Sequence, residues 1–322
     1  MNHIHSISLA IAAIAFAPVA AQAQGFPDKP ITFVVPFAAG TATDQIARAL
    51  GNGVTTESKQ AVVIDNKAGA SGFIASQYVA KAAPDGYTVL ITTNTTHAAN
   101  EHLYKKLPYD PVKDFAPITG LGKGGQVMVV SPSFPAKTVA EFIALAKKEP
   151  GKYSFGSGSS SSRMAGELLQ QMADIKLLHV PYKSNTLAVT DLLGNQINMM
   201  ITDTTTGLPQ VKAGKLRALG MSSSARSPLA PDVPTIAEAG VKGYEMGYWF
   251  AAYAPANTPP AVVKRLNELL VKAARSDAAK TVFYEPTGTE VFTTTPEDMA
   301  KFQTAEAQKW GQIVKAAGIT AE

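Results

Sequence analysis

The chain has 322 residues, 46% of them hydrophobic and 17% charged, and contains no cysteine. That composition excludes intrinsic disorder, a collagen-like fibre and a disulfide scaffold, and at roughly 150 residues per domain the length points to about two domains. Lysine plus arginine number 29 against 25 for aspartate plus glutamate, a net charge of +4 without a basic run, so the electrostatic footprint of a nucleic-acid binder is missing.

At the N-terminus, residues 7–17 read ISLAIAAIAFA and lead through Pro18 to Ala21-Gln22-Ala23. An uncharged apolar run followed by a small-x-small site is the pattern of a secretory signal peptide, which assigns residues 1–23 to a leader and the periplasm to the chain from Gln24. The run is too short to cross about 30 Å of hydrocarbon, and no later stretch approaches the roughly 20 apolar residues of a span. One feature departs from the pattern: the segment before the run carries His3 and His5 but no Lys or Arg.

The next residues set a grammar that recurs along the chain. Ile31–Val35 is β-branched and apolar, Pro36 closes it, and a small-residue loop at 37–43 opens into a helical face of Ile46, Ala47 and Leu50 after Asp44. Residues 61–64, 66–72 and 73–82 repeat strand, loop and helix, and 87–92 reads as the next strand. Residues 126–130 form a further strand, Thr138 and Glu141 a capping box for a helix to about Lys148, and 153–155 a strand. That strand enters the loop Gly156-Ser157-Gly158-Ser159-Ser160-Ser161-Ser162, with a helix from Arg163 that carries Met164, Leu168 and Met172 on one face. Strands at 177–180, 198–201 and 216–221 alternate with short helices at 188–193 and 208–213, and the proline-rich 227–234 reads as a surface connection. A strand at 248–254, a helix from Pro259-Pro260 to about Arg275 and a last helix from Thr295 complete the chain. Such alternation predicts an α/β fold with mostly parallel sheets flanked by helices.

The chain has no G-x-S-x-G elbow, Walker A loop, G-x-G-x-x-G or H-E-x-x-H motif. His97, His102 and His179 are too scattered for a metal site, and no metal or cofactor is expected. Two hydroxyl-rich loops, one in each half, instead lie between a strand and a helix. Helix N-termini present unpaired N–H groups and partial positive charge, which suit a carboxylate or phosphate. Either loop alone is also what a tight turn with an N-cap requires, and Asp44 reads as a structural first-turn acid.

Nine strings carry a resemblance: KPITFVVPFAAGTATDQIARAL, VIDNKAGASGFIAS, PDGYTVL, YDPVKDFAPI, HVPYK, DLLGNQINMM, AGKLRALG, PDVPTIAEAG and WFAAYAPANTPPAVVKRLN. In this order the sequence resembles the periplasmic receptors of tripartite tricarboxylate transporters, the Bug or TctC-like proteins. The resemblance implies a two-domain, periplasmic-binding-protein-like Venus flytrap without catalysis, with domain 1 at 24–123 plus 245–322 and domain 2 at 124–244. It implies a small carboxylate ligand, aliphatic or aromatic, a monomer, and delivery to a permease of one large and one small membrane subunit. The residues expected at the ligand are Phe37, Gly40, Thr41, Thr43, Ala70, Ser71 and Asn94 from domain 1, and Ser157, Ser159, Ser160, Arg163 and Asp203 from domain 2. Departures from the family pattern are Ala39-Gly40-Thr41 for the frequent Pro-Gly-Gly, Arg163 for a frequent His, and Ser184 for a frequent glycine after Lys183.

Two other functions stay open on the sequence. A sensor would pass its closed form to a membrane signalling partner and needs the same cleft. A secreted hydrolase would use a serine of 157–162, for which the sequence displays no base partner.

Overall fold

In the computed structural model, which describes residues 25–316 and 318–321, β1 (Ile31–Val35) is the centre of a parallel wing, flanked by β2 (Val62–Asn66) and β3 (Thr88–Thr93). The expected leader, 1–23, lies outside the described residues. A second parallel wing forms from β5 (Ser154–Ser157), with β6 (Leu178–Pro181) on one side and β7 (Met199–Asp203) on the other. Strand, helix, strand connections are long enough for parallel pairing, and both wings follow from that alternation.

The centre is antiparallel. β4 (Phe115–Val130) and β9 (Gly247–Pro255) pair with each other along 115–125, β9 also pairs with β3, and the last five residues of β4 pair with β7 and the last four with β8 (Arg217–Met221). The two wings are thus joined in the strand order β2-β1-β3-β9-β4-β7-β5-β6, with β8 and the short β10 (Glu290–Val291) also on β4. The sequence reading found only 126–130 of β4, because Pro117 and the glycines that follow erase the strand pattern. Those glycines make room for neighbours: a Cβ on Gly120 would stand 2.5 Å from the Phe292 ring, and one on Gly124 would stand 2.6 Å from the Tyr248 hydroxyl.

The helices α1 (Ala42–Ser58), α2 (Phe73–Ala80) and α3 (Asn100–Leu103) accompany the first wing. Of the rest, α4 (Val139–Lys148), α5 (Ser160–Ala173), α6 (Asn185–Leu193) and α7 (Thr204–Lys212) accompany the second. The chain then returns through α8 (Pro260–Arg275), the single turns α9 (Asp277–Ala279) and α10 (Glu285–Thr287), and α11 (Pro296–Ala316). Of the capping box expected at Thr138 the N-cap half is formed, its hydroxyl accepting from the Glu141 N–H at 3.1 Å, whereas the Glu141 carboxylate accepts from the Lys137 N–H at 2.6 Å, one residue earlier than the box requires. Leu266, Leu269 and Leu270 of α8 pack on Ile46, Leu50 and β1 in one core, and a second core runs unbroken from Val34 and Leu90 to Phe155, Leu169 and Trp310. No described helix is long and apolar enough to cross a membrane.

Candidate functional site

The loops after β1, β5, β6 and β7 leave the C-terminal ends of parallel strands, where ligands of open α/β sheets collect. Each of them starts a helix, and the four N-cap residues Thr41, Ser159, Ser184 and Asp203 all line one inner cavity of about 50 Å³. Ser159 caps the Ser162 N–H at 3.2 Å and Asp203 the Thr206 N–H at 2.8 Å. The other N–H groups of each first turn have no partner within their helix. Thr43, Thr93, Gln126, Ser161, Asn185, Tyr248 and Phe250 add hydroxyls, amides and two aromatic walls.

No Lys or Arg lines this cavity, and its one charged residue, Asp203, is engaged: its carboxylate accepts from Thr206 Oγ1 at 2.6 Å and Asn185 Nδ2 at 3.0 Å as well as from the capped N–H. Helix termini and hydroxyl donors therefore supply the positive side of the local field, against the Asp203 carboxylate. At about 10–15 Å³ for each water-sized position, the space suits a single carboxylate.

A larger outer basin of about 400 Å³ adjoins it, and the two share Phe37, Gly158 and Ser159 as walls. Ser71, Tyr104, Ser157, Ser160, Arg163, His179, Tyr182 and Lys183 face this basin. Ser71, in a left-handed turn at φ 51°, shares a hydrogen bond of 2.7 Å with the Tyr104 hydroxyl. Ser157 Oγ lies 2.8 Å from His179 Nε2, the base-type partner that the sequence does not display because the two are brought together only by β5 pairing with β6. Arg163 is one-fifth exposed and stands 3.9 Å from Glu167. Burial pushes the Glu167 carboxyl above its ordinary range, with Arg163 acting against it.

Of the residues expected from sequence, Thr41, Thr43 and Asp203 line the inner cavity, Ser71, Ser157, Ser160 and Arg163 the outer basin, and Phe37 and Ser159 both. Gly40 lies outside both: at φ 83° its N–H donates to Asp44 at 2.9 Å and its carbonyl accepts from Gln45 Nε2 at 3.0 Å, so it serves the loop. Ala70 begins the single turn Ala70–Gly72. Asn94 is fully buried behind the inner cavity, donating to the Gly247 carbonyl at 3.2 Å and accepting from Ser161 Oγ at 3.2 Å. Asp44 also accepts from Arg48 and Asn66; burial raises its carboxyl, but these bonds outweigh it and hold the group below the usual carboxylate range.

The histidines divide. His97 is fully buried on the Tyr253 ring with its Nδ1 at 2.8 Å from Thr96 Oγ1, His102 Nε2 meets the Ala307 carbonyl at 2.7 Å, and of the three histidines among the described residues only His179 faces the cleft. Among the described residues no group of three acidic or histidine side chains is placed to hold a metal ion. Ser184, Asn185, His179 and Lys183 also line the two cavities, and sequence reasoning did not place them at the ligand. The signal was available in HVPYK-Ser184, a strand followed by a hydroxyl N-cap.

The family described as tripartite tricarboxylate transporter family receptor matches residues 46–319. Among solved structures, an R. palustris protein with adipate superposes at a TM-score of 0.89 and 34% identity, covering 92% of this chain and all of that one. The periplasmic binding protein BugD gives 0.87 and 32% with the same coverage. MatC from Rhodopseudomonas palustris, with bound malate, gives 0.84 and 30% over 90% of this chain and all of its own. With its two-winged α/β fold and helix starts gathered on one cleft, the chain belongs to the receptor family of the tripartite tricarboxylate transporters.

Proposed function

We propose that this receptor works in the periplasm, captures a small carboxylate in the cleft between its halves and hands it to a membrane permease of one large and one small subunit. The observation that carries the reading is the convergence of four helix N-termini on a cavity of carboxylate size that no Lys or Arg lines. Several N–H and hydroxyl donors hold such an anion without a cationic partner, at about 1.5–3 kcal/mol for each bond to the charged group. The adipate and malate of the two relatives are acids of this kind.

On this reading residues 24–123 plus 245–322 form one domain and 124–244 the other, with β4 and β9 as the hinge near 120–126 and 243–248. Residues 1–23 direct export, the monomer is the working unit, and no cofactor takes part. Ser157 and His179 orient a ligand rather than cleave one, since a free acid such as adipate or malate offers no ester or amide bond to attack.

The test is a thermal-shift screen of the purified protein, unfolded and refolded to strip any copurified ligand, against mono-, di- and tricarboxylates, aromatic acids, amino acids and sugar phosphates. A ligand at 100 times its Kd adds about 2.7 kcal/mol, so one carboxylate class is expected to raise Tm and to be recovered chemically unchanged. A screen in which no acid raises Tm overturns the reading.

A further inference from the structure

We propose that residues 287–294 of the first half form a strap on the hinge, with the turn Thr287-Gly288-Thr289 planted in the second half as the pivot on which the two halves rotate. This rests on the hinge reading above and adds to it the residues that position the axis, which lie outside both cavities.

Two observations carry the inference. The first is where the turn sits. The Thr204 hydroxyl, one residue after the Asp203 cap of α7, meets the Thr287 carbonyl at 2.5 Å. The Tyr248 hydroxyl lies 3.2 Å from Thr204 Oγ1 and 2.9 Å from Thr289 Oγ1. Gly288, at φ 65°, fits so closely that a Cβ there would stand 3.0 Å from Leu229 Cδ1 and 3.2 Å from Ser227 Oγ. Thr204, Ser227, Tyr248, Thr287 and Thr289 are all buried. On the proposed division the turn belongs to the first half, and Thr204, Ser227 and Leu229 belong to the second.

The second is how the strap continues. Glu290 and Val291 pair antiparallel with Lys123 and Gly122 of β4. The Thr294 N–H then donates to Thr119 Oγ1 at 3.0 Å, and its hydroxyl accepts from the Gly120 N–H at 3.1 Å. The strap therefore lies along the strand that joins the halves and moves with it. An axis elsewhere would tear the buried hydroxyls of the turn from their partners, with no water to replace them.

In a rigid rotation the points near the axis move least. Asp203 and Tyr248, both walls of the inner cavity, therefore keep their place beside the first half when the cleft opens, while the starts of α5 and α6 swing.

The chain has no cysteine, so introduced cysteines carry spin labels at chosen positions alone, and double electron–electron resonance on the ligand-stripped protein reads the distances between them. One pair flanks the turn, Glu285→Cys in α10 with Lys212→Cys in α7. The other spans the cleft, Ile74→Cys in α2 with Leu187→Cys in α6, and all four positions are exposed. The flanking pair is expected to give one narrow distance and the cleft pair a broad or two-peaked distribution. Thr204→Val with Gly288→Ala, which removes the hydroxyl and wedges the turn away from Leu229, is expected to broaden the flanking distribution, and Thr204→Ser alone to keep it narrow. A flanking pair as broad as the cleft pair in the native protein overturns the inference and leaves the hinge standing. A flanking pair that stays narrow in the double variant also overturns it, and a cleft pair as narrow as the flanking pair overturns the hinge reading with it.

Discussion

Thr41 and Thr43 stand two residues apart at the start of one helix, both line the inner cavity, and they do different work. The Thr41 hydroxyl donates to the Ala38 carbonyl at 2.8 Å and holds the loop, whereas Thr43 faces the cavity from a position 3% exposed. Thr43→Val is therefore expected to weaken carboxylate binding by about 1–3 kcal/mol, the cost of a charged acceptor losing a donor, with Tm of the free protein unchanged. Thr41→Val is expected to act first on stability, by about 1 kcal/mol. Titration calorimetry and urea unfolding on the two variants separate the effects, and unaltered affinity in Thr43→Val removes that residue from the site. His97 tests a different property of single residues. Burial holds its imidazole down at about 3, against about 6.5 in an unfolded chain, so below pH 6.5 the unfolded state takes up a proton that the native state refuses. Stability is then lost as pH falls from about 6.5 toward 3, by about 1.4 kcal/mol per pH unit from this group. His97→Phe, which keeps a ring on Tyr253, is expected to flatten that slope in urea unfolding at pH 7, 6 and 5; an unchanged slope refutes the assignment.

At the scale of elements the cleft depends on helices beginning close together, and Gly158 sets the closest approach. A Cβ there would lie 1.9 Å from the Ser184 carbonyl carbon and 2.1 Å from the Asn185 nitrogen. The Gly158 N–H also donates to Asn185 Oδ1 at 2.9 Å, so the starts of α5 and α6 are in backbone contact. Gly158→Ala is expected to push α6 away, destabilise the protein by about 1–3 kcal/mol as overpacking does, and abolish ligand binding at concentrations that saturate the native receptor. Native-like affinity in a folded Gly158→Ala protein would show that the helix starts need not touch. Sequence reveals such elements unevenly. Ile31–Val35 and the helix from Pro260 are legible because apolar period and proline placement agree with the fold. The start of α5 was read three residues late, because serines are poor helix formers and only the bond from Ser162 N–H to Ser159 Oγ shows them inside the first turn. Residues 94–103 escaped because their buried polar groups, such as the Thr96 carbonyl that accepts from Tyr109, are satisfied by partners outside the segment. Two of the four helix starts were recognisable as loops of a site. Asp203 is expected through the family resemblance, and HVPYK-Ser184 marks a strand and a hydroxyl N-cap, but that this start reaches the same cleft is a property of strand order, which local pattern does not encode.

Across the whole molecule the two halves are joined by more than β4 and β9. Ser160 Oγ donates to Asn100 Oδ1 at 2.9 Å and Ser161 Oγ to Asn94 Oδ1 at 3.2 Å, from the first turn of α5 to the segment after β3, and all four residues are buried. On the hinge reading proposed above, these bonds form only while the halves are together, so they stabilise the closed arrangement whatever ligand is present. A ligand shifts an open–closed equilibrium only by its differential affinity for the two states, and its apparent Kd rises as the competent fraction falls. Ser160→Ala with Ser161→Ala leaves two buried amide oxygens without those donors, at about 1–3 kcal/mol each in the closed form and little in an open form where water replaces them. The double variant is expected to show a larger radius of gyration than the native protein in ligand-free solution scattering and the same radius when saturated. Ser161 lines the inner cavity and Ser160 the basin, but their hydroxyl protons are given to Asn94 and Asn100, so the affinity is expected to fall by a common factor for every carboxylate, the loss lying in the closing step rather than in contacts to any one acid. A loss that differs from acid to acid would place the two serines at the ligand and remove them from the closing step, and a ligand-free radius equal to the native value would show that the bonds do not hold the halves together.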